Sequence, residues 1–155
     1  MKTILALTLL LSLPTALHAE EKGLTKEKIN IEADKLHVSQ THKVANFTGN
    51  VKISQGRITI GADHIKAHFD GDENDFRSIV AEGNVTILYD ETTASGKKAI
   101  YNPTSSVITL TGDVVLIQGQ NALKGSALSY NLETGDINLK GTESGRVKGS
   151  FTLGE

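Results

Sequence analysis

A Gly-Asn or Gly-Asp step recurs inside similar strings along the chain, and this recurrence constrains the fold more than any other feature. The strings are FTGNVKIS (47–54), AEGNVTIL (81–88) and LTGDVVLI (110–117), with a weaker fourth copy around Gly141. Their glycines are separated by 34, 29 and 29 residues. Repeats of this length are typical of stacked supersecondary units that share one core.

A second motif runs beside the first. IEADKLHV (31–38) resembles IGADHIKA (60–67), and both resemble SGKKAIY (95–101) and KGSALSY (124–130). The aligned positions are separated by 29, 34 and 29 residues. Both motifs therefore indicate a repeat of about 29 residues. The spacing of 34 residues, which occurs once in each motif, is longer because additional residues lie near DGDENDF (70–76).

The Gly-Asn step is predicted to bend a strand rather than to reverse it. A two-residue hairpin at Gly49-Asn50 would pair Thr48 with Val51 and would mix polar and apolar residues on each face. In a continuous strand, alternate residues on both sides of the glycine share one apolar face. Because glycine inside a strand marks a bulge or a close backbone approach, we predict a bulge at each copy.

The chain reversals are predicted at other glycines. The sequence favours tight hairpins at Gln55-Gly56, Gln118-Gly119 and Thr134-Gly135, and a loop that begins at Asn102-Pro103. Ile53 would then pair with Ile58, Val114 with Leu123, and Leu132 with Ile137.

The predicted fold is all-β, an antiparallel meander of long bent strands folded into an open β-jelly roll. Bends that align across the strands fold the sheet over, so that two apolar faces oppose each other. The first strand (about 31–39) and the last strand (about 136–147) would each lack a partner on one side. Uncovered edges of this kind favour pairing with another chain.

The residues before the repeats are typical of a secretory signal. Lys2 precedes an apolar run from Ile4 to Leu13 that is too short to span a membrane, and Ala19 is the predicted last residue removed. We therefore expect four parts: a cleaved signal (1–19), an N-terminal segment (20–28), the β domain (29–151) and a tail (152–155).

The composition narrows the possible partners and compartment. The chain has no cysteine, so an oxidising compartment is permitted but disulfides do not contribute to stability. It has 16 Lys and Arg and 18 Asp and Glu, and loss of Lys2 with the signal would leave a net charge of −3. No basic surface for nucleic acid is indicated. We expect an exported, periplasmic protein.

The order of the motifs resembles the LptA family of periplasmic lipopolysaccharide transport proteins, also called OstA-like. The resemblance covers about Ile29 to Val147. Besides the signal, it depends on I-x-x-D at 31–34, F-T-G-N-V at 47–51, A-D at 62–63, L-T-G-D-V at 110–114 and K-G-x-x-L-x-Y at 124–130.

This resemblance implies a β-jelly roll whose apolar groove holds the acyl chains of lipid A. It also implies head-to-tail stacking, edge strand to edge strand, into a bridge between the inner and outer membranes. The implied partners are lipopolysaccharide, further copies of the chain, and LptC-like and LptD-like proteins that carry the same domain type. The resemblance implies transport rather than catalysis, and no cofactor.

Alternation along the strands selects fifteen candidate groove residues. Alternation does not distinguish a wall that lipid can reach from a closed core, so both interpretations stay open. The candidates are Phe47, Val51, Ile53, Ile58, Ile60, Ile65, Val85, Ile87, Tyr101, Leu110, Val114, Leu116, Leu128, Tyr130 and Leu139.

Metal binding receives little support from the sequence. DGDENDF has the acid spacing of a calcium loop, but Asp75 and Ala81 stand where such a loop has Gly and Glu, so we expect a solvated acidic loop. His64 and His68 would lie about 13 Å apart on a strand, and we expect exposed histidines rather than metal ligands.

Two other functional classes remain as alternatives. An exported polysaccharide-active enzyme is less favoured, because the acidic residues lie mainly at turns and no nucleophile elbow, H-E-x-x-H or phosphate loop is present. A structural protein that binds partners through its edge strands without carrying lipid is the second alternative.

Overall fold

The computed structural model describes residues 28–70, 75–142 and 144–152. In these residues every regular element is a β-strand, and no helix is long and apolar enough to cross a membrane. The predicted signal (1–19), residues 20–27 and the acidic residues 71–74 lie outside the described residues, as does most of the predicted tail.

Six long strands form the body of the described structure, with two short strands at each margin. In chain order the strands are β1 (Asn30–Glu32), β2 (Lys35–Ser39), β3 (Val44–Gln55), β4 (Ile58–Asp70), β5 (Asp75–Tyr89), β6 (Thr92–Asn102), β7 (Val107–Gln118), β8 (Asn121–Asn131), β9 (Ile137–Lys140) and β10 (Lys148–Ser150).

The long strands pair as an antiparallel meander from β3 to β8. At one margin β1 and β2 both pair with β3, and at the other margin β9 and β10 both pair with β8. Among the described residues, no pairing joins the two margins, so the sheet is open. The predicted all-β meander of long strands is confirmed.

Each Gly-Asn or Gly-Asp step lies inside a continuous strand. The pairing of β3 with β4 is regular up to Thr48 and resumes at Val51, so Gly49 and Asn50 together stand opposite Asp63. Both residues of the step have positive φ, 81° and 46°. Equivalent register shifts follow at the two later copies. The prediction of a bulge rather than a reversal is confirmed.

The bulges align across the sheet and divide it into two layers. The first layer contains β1, β10 and residues 51–62, 85–96 and 114–125; the second contains β2, β9 and residues 44–48, 64–70, 75–82, 98–111 and 127–131. Ile53 of the first layer and Phe47 of the second line the same cavity, although they lie on one strand. The sheet is therefore folded over along the bulges.

The most deeply buried side chains lie along this fold line, which we call the crease. Val51, Ile65, Val85, Leu110 and Val114 are each at most 2% exposed. They belong to one continuous apolar cluster. Because β-branched and leucine side chains from both layers meet here without polar atoms, the crease forms the core of the domain.

The first hairpin lies one residue later than predicted. Gln55 pairs with Ile58 and Ile53 pairs with Ile60, so the loop is Gly56-Arg57. Gly56 has a φ of 55° and Arg57 has no positive φ, which is the pattern of a type II′ hairpin loop with glycine at its first position. The predicted pairing was wrong by two residues, a shift that leaves every side chain on the same face.

The other two predicted pairings were also wrong by two residues, in the same direction at the second hairpin and in the opposite direction at the third. Leu116, rather than Val114, pairs with Leu123 around a loop at 119–120. Tyr130, rather than Leu132, pairs with Ile137.

The two margins are less regular than predicted. The first strand is divided into β1 and β2 at Ala33-Asp34, where the neighbouring bulge of β3 lies. The last strand was predicted to run over about 136–147, but residues 141–142 and 144–147 lie outside the strands, between β9 and β10. Hydrogen bonds between Thr142 and Arg146 close this excursion.

Candidate functional site

An apolar groove lies between the two layers and consists of two neighbouring cavities. The cavities share Ile58, Ile108 and Leu132, so they adjoin each other. The first cavity reaches Ile31 at the β1 margin, and the second reaches Ile137 at the β9 margin. The groove therefore crosses the whole sheet from one bare edge to the other.

The groove lies on the hairpin side of the layers, away from the crease. Gln55, Tyr89 and Gln118, which end strands of the first layer, contribute to its walls. Leu132 and Gly135, in the β8–β9 loop, contribute from the second layer. The groove therefore lies next to the loops of both layers.

Nine of the fifteen predicted residues line this groove. They come from six strands, β3 to β8, and from both layers, and Ile58 contacts both cavities. The nine are Phe47, Ile53, Ile58, Ile60, Ile87, Tyr101, Leu116, Leu128 and Tyr130.

The other six predicted residues lie elsewhere. Val51, Ile65, Val85, Leu110 and Val114 form the crease and are closed off from solvent. Leu139, on β9, is partly buried and packs against the apolar cluster without lining either cavity. For these residues the structure favours a packing role.

Several groove residues were absent from the prediction. Most of them lie at inward positions of the strand alternation, so the same pattern could have identified them. Ile29 precedes the first strand and carries no such signal. They include Ile29, Ile31, Ala67, Phe76, Ile79, Tyr89, Ala94, Ile108, Leu132 and Ile137.

All three tyrosines of the chain lie in the groove wall. Burial raises the pKa of Tyr101, and the nearby Glu133 carboxylate raises it further. Burial also raises the pKa of Tyr130, with a smaller contribution from Tyr89. Tyrosine has an apolar ring and a polar tip, so it suits a surface where an apolar interior meets water.

A charged pair stands beside the groove on the first layer. Nε and Nη2 of Arg57 donate hydrogen bonds to the two carboxylate oxygens of Asp90. The Arg57 guanidinium also lies over the ring of Tyr89, 5.2 Å from its centroid. These contacts connect the β3–β4 loop to the β5–β6 loop.

The described residues contain no group of three or more His, Cys, Asp or Glu that could hold a metal ion. His64 is exposed and His68 is half-buried, and both lie on β4. Most of the acidic loop considered as a calcium site, residues 71–74, lies outside the described residues.

Residues 30–136 match the model of the LptA/(LptD N-terminal domain) LPS transport protein family. The match covers the strands that build both layers and most of the groove. The chain belongs to this family. The resemblance inferred from the repeated motifs is thereby confirmed, and the family is one of transport proteins rather than enzymes.

Individual relatives agree with the family match. The chain is 32% identical over 130 residues to the uncharacterized protein R00383 of Rhizobium meliloti, covering 79% of this chain and 69% of the relative. It is 30% identical over 115 residues to the lipopolysaccharide export system protein LptA of Escherichia coli K12, covering 70% of this chain and 62% of LptA.

A solved structure has the same architecture. The crystal structure of LptH from Pseudomonas aeruginosa, described as the LptA-homologous periplasmic component of the lipopolysaccharide transport device, superposes with a TM-score of 0.72 at 17% identity. The superposition covers 82% of this chain and 96% of LptH. The jelly-roll fold predicted from the repeats is therefore the fold of this family.

Proposed function

We propose that this protein is a periplasmic component of lipopolysaccharide transport that shelters the acyl chains of lipid A in its groove. The observation that carries the proposal is the groove between the layers, whose lining is apolar and reaches from edge to edge of an open sheet. The family match supports the same role.

The physical need for such a groove is clear. Each CH₂ group exposed to water costs about 0.8 kcal/mol, so an amphiphile with several acyl chains does not cross an aqueous compartment unaided. A groove that opens between the loops of two layers covers the chains and leaves a sugar headgroup in water.

We assign contact with lipid to the nine predicted residues in the groove wall, with Ile58 at the centre. The five crease residues hold the layers together and do not need to touch lipid. The sequence alternation left two interpretations open, a wall that lipid can reach and a closed core. We assign the groove residues to the wall and the crease residues to the core.

The two margins support the second part of the proposal, stacking into a bridge. Leu36 and Val38 on β2 are 58% and 47% exposed, and Ile137 on β9 is 49% exposed. Edge strands with exposed apolar side chains favour β-augmentation. We propose that copies of the chain and LptC-like and LptD-like domains pair with these margins, so that the grooves join.

Site-specific photocrosslinking tests the groove. A photoreactive residue at Ile53 or Ile87 is expected to crosslink to lipopolysaccharide, because both positions line the cavities. Lys52 and Thr86 are the matched controls, since each is the adjacent residue on the same strand and is exposed. Equal crosslinking at wall and control positions would refute the groove assignment. Stacking without any lipid crosslink would favour the structural alternative.

A further inference from the structure

The groove has a rim that is polar and that is distinct from its apolar walls. Three loops of the first layer form one side of this rim, at 56–57, 90–91 and 119–120. Their side chains include two carboxylates, Asp90 and Glu91, and a single cation, Arg57.

Arg57 lies where the two cavities meet. The next residue, Ile58, is one of the three residues shared by both cavities. The ring beneath the guanidinium, Tyr89, lines the second cavity. The Arg57 side chain is 68% exposed, so solvent and ligands reach it from the rim.

Neighbouring groups hold the guanidinium in place. Asp90 accepts hydrogen bonds from Nε and Nη2, which are two of the five N–H donors of arginine. The stacking on Tyr89 restricts the plane of the group. A guanidinium that is oriented in this way loses less conformational entropy when it binds a ligand than a free side chain would.

We propose that Arg57 binds the phosphate of the amphiphile's headgroup at the rim of the groove and thereby selects anionic amphiphiles over neutral ones. The inference rests on the proposed function, because acyl chains in the groove place their headgroup at the rim. Guanidinium suits this task, since its planar fork matches the oxygens of a phosphate.

The test uses a pair of amphiphiles with one alkyl chain length, dodecyl phosphate and dodecyl maltoside, each below its critical micelle concentration. The intrinsic fluorescence of the three groove tyrosines reports binding to the purified protein, which contains no tryptophan. Arg57→Gln is expected to weaken binding of dodecyl phosphate about threefold to fivefold, the effect of one exposed charge pair, and to leave dodecyl maltoside unchanged.

Three further variants sharpen the assignment. Arg57→Lys keeps the charge without the fork and is expected to lie between the unmodified protein and Arg57→Gln. Arg146→Gln, in the excursion between β9 and β10, is the matched control and is expected to have no effect. Arg77 is an exposed cation on β5 in the second layer. Loss of the phosphate preference in Arg77→Gln, but not in Arg57→Gln, would overturn the proposal.

Failure of this inference is distinguishable from failure of the proposed function. If neither amphiphile binds, the groove itself does not hold alkyl chains and both are overturned. If both bind equally well, and Arg57→Gln changes neither, the groove stands and the phosphate site falls. Inorganic phosphate at equal concentration is expected not to displace dodecyl phosphate; displacement would show a site for free phosphate and overturn the headgroup assignment.

Discussion

Asn84 donates a hydrogen bond from Nδ2 to the Oδ2 atom of Asp63, 2.8 Å away, across the bulge between β5 and β4. The preceding copy of the repeat has the same bond, from Asn50 to Asp34 at 3.0 Å. In both copies the asparagine is the second residue of the Gly-Asn step and has positive φ. The side-chain pair therefore joins neighbouring strands where the sheet folds over.

The third copy keeps the pair with different residues. Asp113 takes the place of the asparagine, and Lys97 takes the place of the aspartate, with Nζ of Lys97 lying 2.6 Å from Oδ2 of Asp113. Both members have changed together, so the contact across the bulge remains attractive. We infer that this contact contributes to the geometry of the crease, beyond the contribution of glycine.

Gly83→Ala is expected to destabilise the protein by about 2–3 kcal/mol. Gly83 has a φ of 78°, a conformation that costs residues with a Cβ about 1–2 kcal/mol. The added Cβ would also overlap the carboxylate of Asp63, which would have to move away from Asn84. Denaturation with urea measures the change in the free energy of unfolding.

Gly119→Ala is the matched control for this substitution. Gly119 also has positive φ, 58°, but no heavy atom lies within 4 Å of a Cβ added there. It is expected to show only the conformational cost of about 1–2 kcal/mol. An equal loss in both variants would show that the contact with Asp63 contributes nothing to the bulge.

Exchange of the pair at the second bulge tests whether its two residues act together. Asn84→Asp places a carboxylate opposite Asp63 and is expected to lower the free energy of unfolding by a few tenths of a kcal/mol, up to about 1 kcal/mol. Adding Asp63→Lys reproduces the pair of the third copy and is expected to restore the free energy of unfolding. A double-mutant cycle measures the coupling, and additive effects would contradict it.

The sequence predicted the bulges because two signals coincide there, a Gly-Asn step and apolar alternation that continues across it. The hairpin registers were less accessible, because moving a loop so that the pairing shifts by two residues leaves every side chain on its face. A pattern of period two therefore fits a loop at Gln55-Gly56 and a loop at Gly56-Arg57 equally well. Only the observed pairing of Gln55 with Ile58, a structural quantity, separates them.

The sequence did not predict which apolar residues belong to the crease and which belong to the groove wall. Leu110 and Ile58 have the same alternation, yet Leu110 is fully buried and Ile58 lines both cavities. The difference depends on the distance of each residue from the fold line, which the repeats place only approximately. The excursion at residues 141–142 and 144–147 was missed because Gly141 resembles the glycines of the regular bulges.

Leu110→Ala and Ile58→Ala are expected to separate stability from binding. Leu110 is 0% exposed, and its truncation leaves a cavity in the crease that costs about 2–5 kcal/mol. Ile58 is half-buried, so Ile58→Ala is expected to cost only about 1 kcal/mol while weakening the binding of dodecyl maltoside at least about threefold. Urea denaturation and tyrosine fluorescence measure the two effects, and a stronger loss of binding in folded Leu110→Ala would contradict the division.

The stability of the protein is expected to fall as the pH rises above about 10, the ordinary pKa of tyrosine. Burial raises the pKa of Tyr101 and Tyr130, so the folded protein retains protons that the unfolded chain releases. Stability from this source is fully present below the unfolded pKa and is lost as the pH rises through the folded pKa. In Tyr101→Phe, the free energy of unfolding is expected to fall less steeply with pH between about pH 9 and pH 11. Urea denaturation at a series of pH values measures this dependence, and an unchanged dependence would contradict its origin in Tyr101.

Charges on the β2 margin are expected to weaken stacking. Leu36→Lys combined with Val38→Lys places two cations on an edge strand, where lysine opposes pairing with another strand. Both side chains are exposed, so the fold is expected to persist. Sedimentation velocity over a range of concentrations is expected to show association at least about tenfold weaker than in the unmodified protein.

The outer face of the first layer provides a control for that margin. Leu88 and Ile117 are 42% and 44% exposed, close to the value for Val38, but they lie on β5 and β7, inside the sheet. Leu88→Lys combined with Ile117→Lys changes the charge by the same amount, and the hydrophobicity by a similar amount, without touching an edge. If this control weakens association as much as the β2 variant, stacking depends on the outer face or on net charge, and the edge-to-edge arrangement is wrong. If only the β2 variant does so, the bare strand is the contact through which one groove continues into the next.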